Sequence, residues 1–164
     1  MPASAIKKFP EPVLRQVSAR VTRFDSELEK LVKRLIQIMR SQPGGVGIAA
    51  PQIGILKKIA IVDVSPKVQS ADLLILINPE IVKLDREIVL REGCMSLPDY
   101  TANVKRYDEA AVKWQDLSGG TILYQAKGLE ARCIQHEIDH LNGILFVDRV
   151  ASLRSDVFRR KRYL

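Results

Sequence analysis

Histidine is almost missing from this sequence: 164 residues contain two, His136 and His140, four positions apart. Cysteine is equally scarce, with Cys94 and Cys133 alone, which excludes a disulfide-rich scaffold and favours reduced thiols in a reducing cytoplasm. No stretch approaches the ~20 apolar residues of a membrane helix, and Met1 to Pro10 lacks the apolar run of a secretory leader. A soluble, cytoplasmic, unprocessed chain without a membrane partner is therefore expected. Repeats and low-complexity tracts are also lacking. The balance of 46% hydrophobic and 27% charged residues is that of an ordinary globular protein, and the length suits one domain over residues 1–164 with a short basic C-terminal segment from about Ala151.

The scarce histidines stand in Gln135-His136-Glu137-Ile138-Asp139-His140. On a helix, a spacing of four puts both imidazoles on one face, ~6 Å apart along the axis, so two nitrogens can converge on one metal ion. Glu137 is poorly placed as a third ligand but well placed to hold a water at that ion, the general-base arrangement of His-Glu-x-x-His. Ordinary helix histidines beside a surface glutamate would leave this spacing unexplained.

A third protein ligand is needed. The extended metalloprotease pattern supplies a third histidine, and the chain follows it to Gly143 before offering Phe146. That leaves a downstream carboxylate such as Asp148, or a cysteine, whose thiolate binds zinc or ferrous iron readily. Cys133 lies seven residues before His140, ~10 Å along the same helix, too far for its short side chain to bridge. Cys94, in the separate stretch Glu92-Gly93-Cys94-Met95-Ser96, is the better sulfur. Cys133 is then a small pocket-lining or core residue.

Around these stretches the periodicity predicts an amphipathic helix over Ser26 to Arg40, with Leu28, Leu31, Val32, Leu35, Ile36 and Met39 as its apolar stripe. Ser26 and Glu29 read as its capping box, and Ser41, Pro43, Gly44 and Gly45 as its stop. Gly45-Val46-Gly47-Ile48-Ala49-Ala50-Pro51-Gln52 is a glycine-punctuated loop that lacks the Gly-Lys-Ser/Thr ending of a phosphate loop. Short strands are expected at Lys58 to Val64, Leu73 to Asn78, Ile81 to Leu84, Glu87 to Leu90, Ala110 to Asp116 and Thr121 to Ala126. The last two flank a hairpin at Leu117-Ser118-Gly119-Gly120. The fold class is α+β: largely antiparallel strands packed around a central metal-binding helix, with an N-terminal amphipathic helix.

Three stretches in this order, Gly45 to Gln52, Glu92 to Ser96 and Gln135 to His140, resemble the motifs of the peptide deformylases, metallohydrolases that remove the formyl group from nascent N-formylmethionyl peptides. The similarity runs from about Ile6 to Val150. It implies that Cys94, His136 and His140 are the metal ligands, that Glu137 is the general acid and base, and that Gln52 and the Met95 N–H are oxyanion donors. It also implies that Val46, Gly47 and Ile48 pair with the substrate backbone as an added strand. Val46, Leu90, Leu129 and Cys133 would line the methionine pocket, with Arg132 at a position often aliphatic in relatives. Glu92 and Arg106 match a family ion pair that supports the cysteine loop. The implied cofactor is one divalent ion: ferrous iron natively, with zinc, nickel or cobalt in preparations.

Two other classes are compatible with parts of the sequence, a zinc endopeptidase and an RNA-binding module that retains a structural metal. The first lacks its third ligand, and the second normally closes its site with four protein ligands. The net charge of +7 and the run Arg154, Arg159, Arg160, Lys161 and Arg162, opposed only by Asp156, could contact ribosomal RNA or simply keep the surface solvated.

Overall fold

The computed structural model of the chain describes residues 6–161. Helix α1 spans Ser26–Ser41 and buries Leu28, Val32, Leu35, Ile38 and Met39. Its cap is Asp25, whose carboxylate accepts the Leu28 N–H at 3.1 Å, and not Ser26. Asp25 is extended, at φ −130°, while Ser26 is already helical. The buried stripe likewise differs by including Ile38, with Leu31 and Ile36 only partly covered.

Strands β1 (Gly47–Ala49), β2 (Ile59–Val62), β3 (Leu74–Cys94), β4 (Leu97–Gln115) and β5 (Thr121–Lys127) form an antiparallel sheet in that order. Both short strands are buried throughout. Ile48, Ile59 and Ile61 join the apolar cluster of α1, whereas Ala49, Ala60 and Val62 join that of the second helix, α2 (Gly128–Leu141). Burial on both faces explains why β2 reads as a continuous apolar run without alternation.

The three runs expected between Leu73 and Leu90 are one strand. Asn78 takes φ 51°, and the register shifts between Ile77 and Glu80, so a bulge absorbs Pro79 without ending the pairing. Asn78 holds that bulge in place: its side chain accepts the Val21 N–H at 2.8 Å and donates to the Val21 carbonyl at 2.9 Å and to Gln115 Oε1 at 2.7 Å. Strand β4 begins at Leu97 instead of Ala110. Its first half is charged, but Ala102, Val104 and Arg106 point inward at alternate positions, and an arginine in that series hides the strand pattern.

The C-terminal segment is built into the sheet. After the short helix α3 (Leu153–Asp156), strand β6 (Val157–Arg159) pairs with the first half of β4, matching Tyr100 with Arg159, Thr101 with Phe158 and Ala102 with Val157. Arg154, Arg159 and Lys161 are exposed, while Arg162, the last cation of the predicted basic run, lies outside the described residues. Replacing Asn78 by alanine removes the partner of both Val21 backbone groups and puts at the bulge a residue that tolerates positive φ less well than asparagine. A loss of about 2 kcal/mol or more is expected in urea unfolding.

Candidate metal centre

Cys94 ends β3, a two-residue turn follows, and β4 begins at Leu97. This tight reversal aims its sulfur at α2, which packs against β4, β2 and β1. The potential ligand atoms of Cys94, His136 and His140 lie within 4.8 Å of one another, and all three residues are buried. Cys94 Sγ stands 3.3 Å from His140 Nε2 and accepts the Ser96 N–H at 3.4 Å. Asp148 is not in this group. Its carboxylate is paired with Arg15 and accepts the Leu145 N–H. Cys133 also lies apart from the group, and burial, with Glu137 nearby, pushes its thiol up to about 12.

A line of charges fixes the imidazoles. His136 Nδ1 is bonded to the Glu92 carboxylate, which leaves Nε2 to face the cluster, the outer-sphere arrangement common for ligating histidines. Glu92 in turn receives Arg106 through Nε at 3.1 Å and Nη2 at 2.7 Å. The remaining arm of Arg106 reaches Asp139 Oδ2 at 2.6 Å, and Arg149 covers the same carboxylate at 2.6 and 2.8 Å. Burial alone would raise the Glu92 carboxyl, yet His136 and Arg106 hold it down at about 2. Burial likewise disfavours the Arg106 cation, but Glu92 and Asp139 outweigh it and raise its pKa. Gln135 fastens the helix to β4, accepting the Tyr107 N–H at 3.0 Å and donating to the Tyr107 carbonyl at 2.6 Å.

The donor set fits a divalent metal. His140 Nδ1 and Glu137 Oε1 are buried with no hydrogen-bond partner among the described residues. Burial depresses the His140 pKa, keeping the ring neutral as a ligand must be. At His136 burial acts the same way, but the charges of Glu137 and Cys94 outweigh it and raise the value. Two nitrogens and a sulfur converge here, a combination suited to zinc or ferrous iron. A metal held by these three side chains would keep room for a reacting group. Burial pushes the Glu137 carboxyl up to about 7, and the carboxylate lies against β1 at Gly47, where any Cβ would collide with it.

Gln52 faces the same space. Its Oε1 accepts the Ala49 N–H at 3.0 Å, so its NH₂ is turned toward Ser96 Oγ at 3.1 Å and Cys94 Sγ at 3.7 Å. A cavity of about 490 Å³ opens over these groups, lined by Val46, Gly47, Leu90, Met95, Leu129 and Cys133 among others. Ile48 contributes no lining. Its side chain is fully buried against α1, and its backbone pairs with Ile61 of β2. Arg132 lines the cavity and is turned toward Asp108 by a 2.6 Å hydrogen bond.

Asp139, Arg149 and Ser96 have no role in the sequence reading. Asp139 stood within the histidine stretch and could have been singled out as an acid on the face of a buried helix, but Arg149 meets it only through the fold. Arg106→Met would leave Glu92 and Asp139 buried without their shared cation. Loss of one partner in such a network costs about 3–5 kcal/mol, to be read as an earlier urea midpoint.

Residues 3–156 match the family described as polypeptide deformylase. The peptide deformylase of Thermodesulfovibrio yellowstonii is 44% identical over 156 residues, covering 95% of this chain and 94% of that one. Among solved structures, a peptide deformylase from Synechococcus elongatus in complex with actinonin superposes with a TM-score of 0.84 at 41% identity, covering 90% of this chain and 80% of that one. A peptide deformylase from Thermotoga maritima gives 0.83 at 38% identity, covering 90% and 97%.

Proposed function

This chain belongs to the polypeptide deformylase family, metal-dependent hydrolases that remove the N-formyl group from nascent peptides, and from that premise we propose that Cys94, His136 and His140 hold its metal while Glu137 moves the protons. The observation that carries the reading is the convergence of one thiol and two imidazoles within 4.8 Å beside a buried carboxylate whose pKa is near 7. When bound, the divalent ion supplies a Lewis acid that makes water a competent nucleophile near neutral pH and polarises the formyl oxygen.

The remaining work falls to side chains. Glu137 accepts the proton of the attacking water and returns it to the departing amine, and a carboxyl poised near the working pH suits both transfers. The Gln52 NH₂ and the Met95 N–H meet the negative charge that develops on the formyl oxygen, each well-placed donor contributing about 3 kcal/mol. Strand β1 stands at the end of the strand order, so the substrate backbone can add to it at Val46 to Ile48. The methionine side chain then enters the apolar part of the cavity at Leu90, Leu129 and Cys133. Formate and a peptide with a free amino terminus leave.

Ferrous iron is the native ion in this reading, with zinc, nickel or cobalt able to replace it. A sulfur ligand beside an open iron position is exposed to oxidation. A cytoplasmic site of action suits two free cysteines, and the exposed Arg154, Arg159 and Lys161 offer a surface to ribosomal RNA.

Anaerobically iron-loaded protein should release formate from a formyl-methionyl tripeptide, leave an unblocked peptide uncut and outpace the zinc form. Glu137→Gln should keep its metal and lose about 100-fold or more in turnover. Formate release at the wild-type rate from that variant would remove Glu137 from the mechanism. Metal analysis separates the sulfurs: Cys94→Ser should lose metal on dialysis, and Cys133→Ser should retain it.

A further inference from the structure

The short turn after α2 touches the metal centre at two points, and the chemistry of hydrolysis uses neither. The Asp139 carbonyl accepts the N–H groups of Asn142 and Ile144, both at 2.9 Å, so the chain folds straight back and brings the 3-10 helix Phe146–Arg149 against α2. Phe146 is buried, and its ring stacks on His136 with centroids 6.4 Å apart and planes 22° from parallel. Three residues on, Arg149 lays its guanidinium on the Asp139 carboxylate, through Nε to Oδ2 at 2.6 Å and Nη2 to Oδ1 at 2.8 Å.

Arg149 stands at the surface of the ion network. Its side chain is 43% exposed, against 2% for Arg106 and 7% for Asp139. From there one line of contacts runs inward: Arg149 to Asp139, Asp139 to Arg106, Arg106 to Glu92, and Glu92 to His136 Nδ1. Asp139 also immediately precedes His140 on the helix. Its Oδ2 is shared by both arginines at 2.6 Å, whereas Oδ1 is met by Arg149 alone among the described residues.

Two opposed effects on a metal follow from this placement. As a cation, Arg149 repels a divalent ion, so electrostatics alone makes its removal tighten binding; solvent and salt keep that repulsion small for an exposed charge. As the partner of Oδ1, Arg149 holds the carboxylate in place. Without it a buried oxygen is left unsatisfied, and Asp139 regains a bond only by turning further onto Arg106. Arg106 already gives two nitrogens to Glu92, so that turn draws it away from Glu92 or pulls the helix at His140. Each course moves an imidazole. We propose that Arg149 is a positioning residue, a solvent-side latch that acts through Asp139 to keep His136 and His140 aimed at the metal. This inference rests on the assignment of Cys94, His136 and His140 as ligands.

The test compares full-length wild-type, Arg149→Met, Arg149→Lys and Arg15→Met proteins loaded with zinc or cobalt. Release of metal to excess chelator should be about tenfold faster from Arg149→Met, at the lower end of what loss of an outer-sphere partner produces. Arg149→Lys keeps the charge but replaces a two-pronged fork by a single ammonium, and its rate should fall between the two. The visible d–d bands of the cobalt form should shift in Arg149→Met and return part-way in Arg149→Lys. Arg15→Met removes the ion pair between Arg15 and Asp148 in the same turn and leaves Asp139 untouched, so it should keep the wild-type rate and spectrum. Release from Arg149→Met at the wild-type rate, or more slowly as repulsion alone requires, overturns the proposal. Equal acceleration by Arg15→Met also overturns it, because the turn and not the fork would then be responsible. Wild-type protein that takes up neither metal defeats the ligand assignment and this inference together, whereas wild-type uptake with unchanged release from Arg149→Met defeats this inference alone.

Discussion

Arg106 keeps a full positive charge at 2% exposure, a placement that costs several kcal/mol unless carboxylates meet it on every side. Glu92 arrives from β3 and Asp139 from α2, so solvating one guanidinium obliges strand and helix to stand at a fixed separation. That separation is also the distance between Cys94, two residues along the strand, and the histidines, which flank Asp139 on the helix. Glu92 then spends its second interaction on His136, turning the ring so that its other nitrogen faces the cysteine. The ion network is better understood as setting register than as adding stability, because a buried pair recovers little beyond its own desolvation.

With the donors fixed, the rest of the site is a matter of clearance. Gly47 lets the Glu137 carboxylate lie against an edge strand, and Gly93 lets the Arg160 guanidinium lie against β3. At both positions a glycine admits a polar head group that a methyl would exclude. Burial then tunes chemistry, raising the Glu137 carboxyl toward neutrality while the Cys133 thiol, in the same cavity, is kept protonated.

The parts legible in the sequence share a property: their determinants are close together along the chain. The apolar stripe of α1, the β2 run, the hairpin at Leu117 to Gly120 and the spacing of His136, Glu137 and His140 are all local signals. What stayed hidden depends on distant pairing. Arg106 at an inward position disguised the first half of β4, because a lone arginine in an alternating series reads as a loop until its two carboxylates are known. Asn78-Pro79 looked like the end of a strand, since nothing nearby in sequence tells that Val21 and Gln115 will hold a bulge there. Residues 157–161 read as a basic tail because their partner strand lies more than fifty residues away. The cap of α1 missed by one residue, between two adjacent side chains that are both good caps.

Everything proposed for the site depends on one sulfur and two nitrogens of this chain meeting at a single ion. X-ray absorption at the metal edge of the iron- or zinc-loaded wild-type protein tests it directly. One sulfur at ~2.3 Å and two imidazole nitrogens at ~2.0–2.1 Å, completed by lighter oxygen scatterers, are expected around the ion. A first shell with no sulfur, or with two, would contradict it.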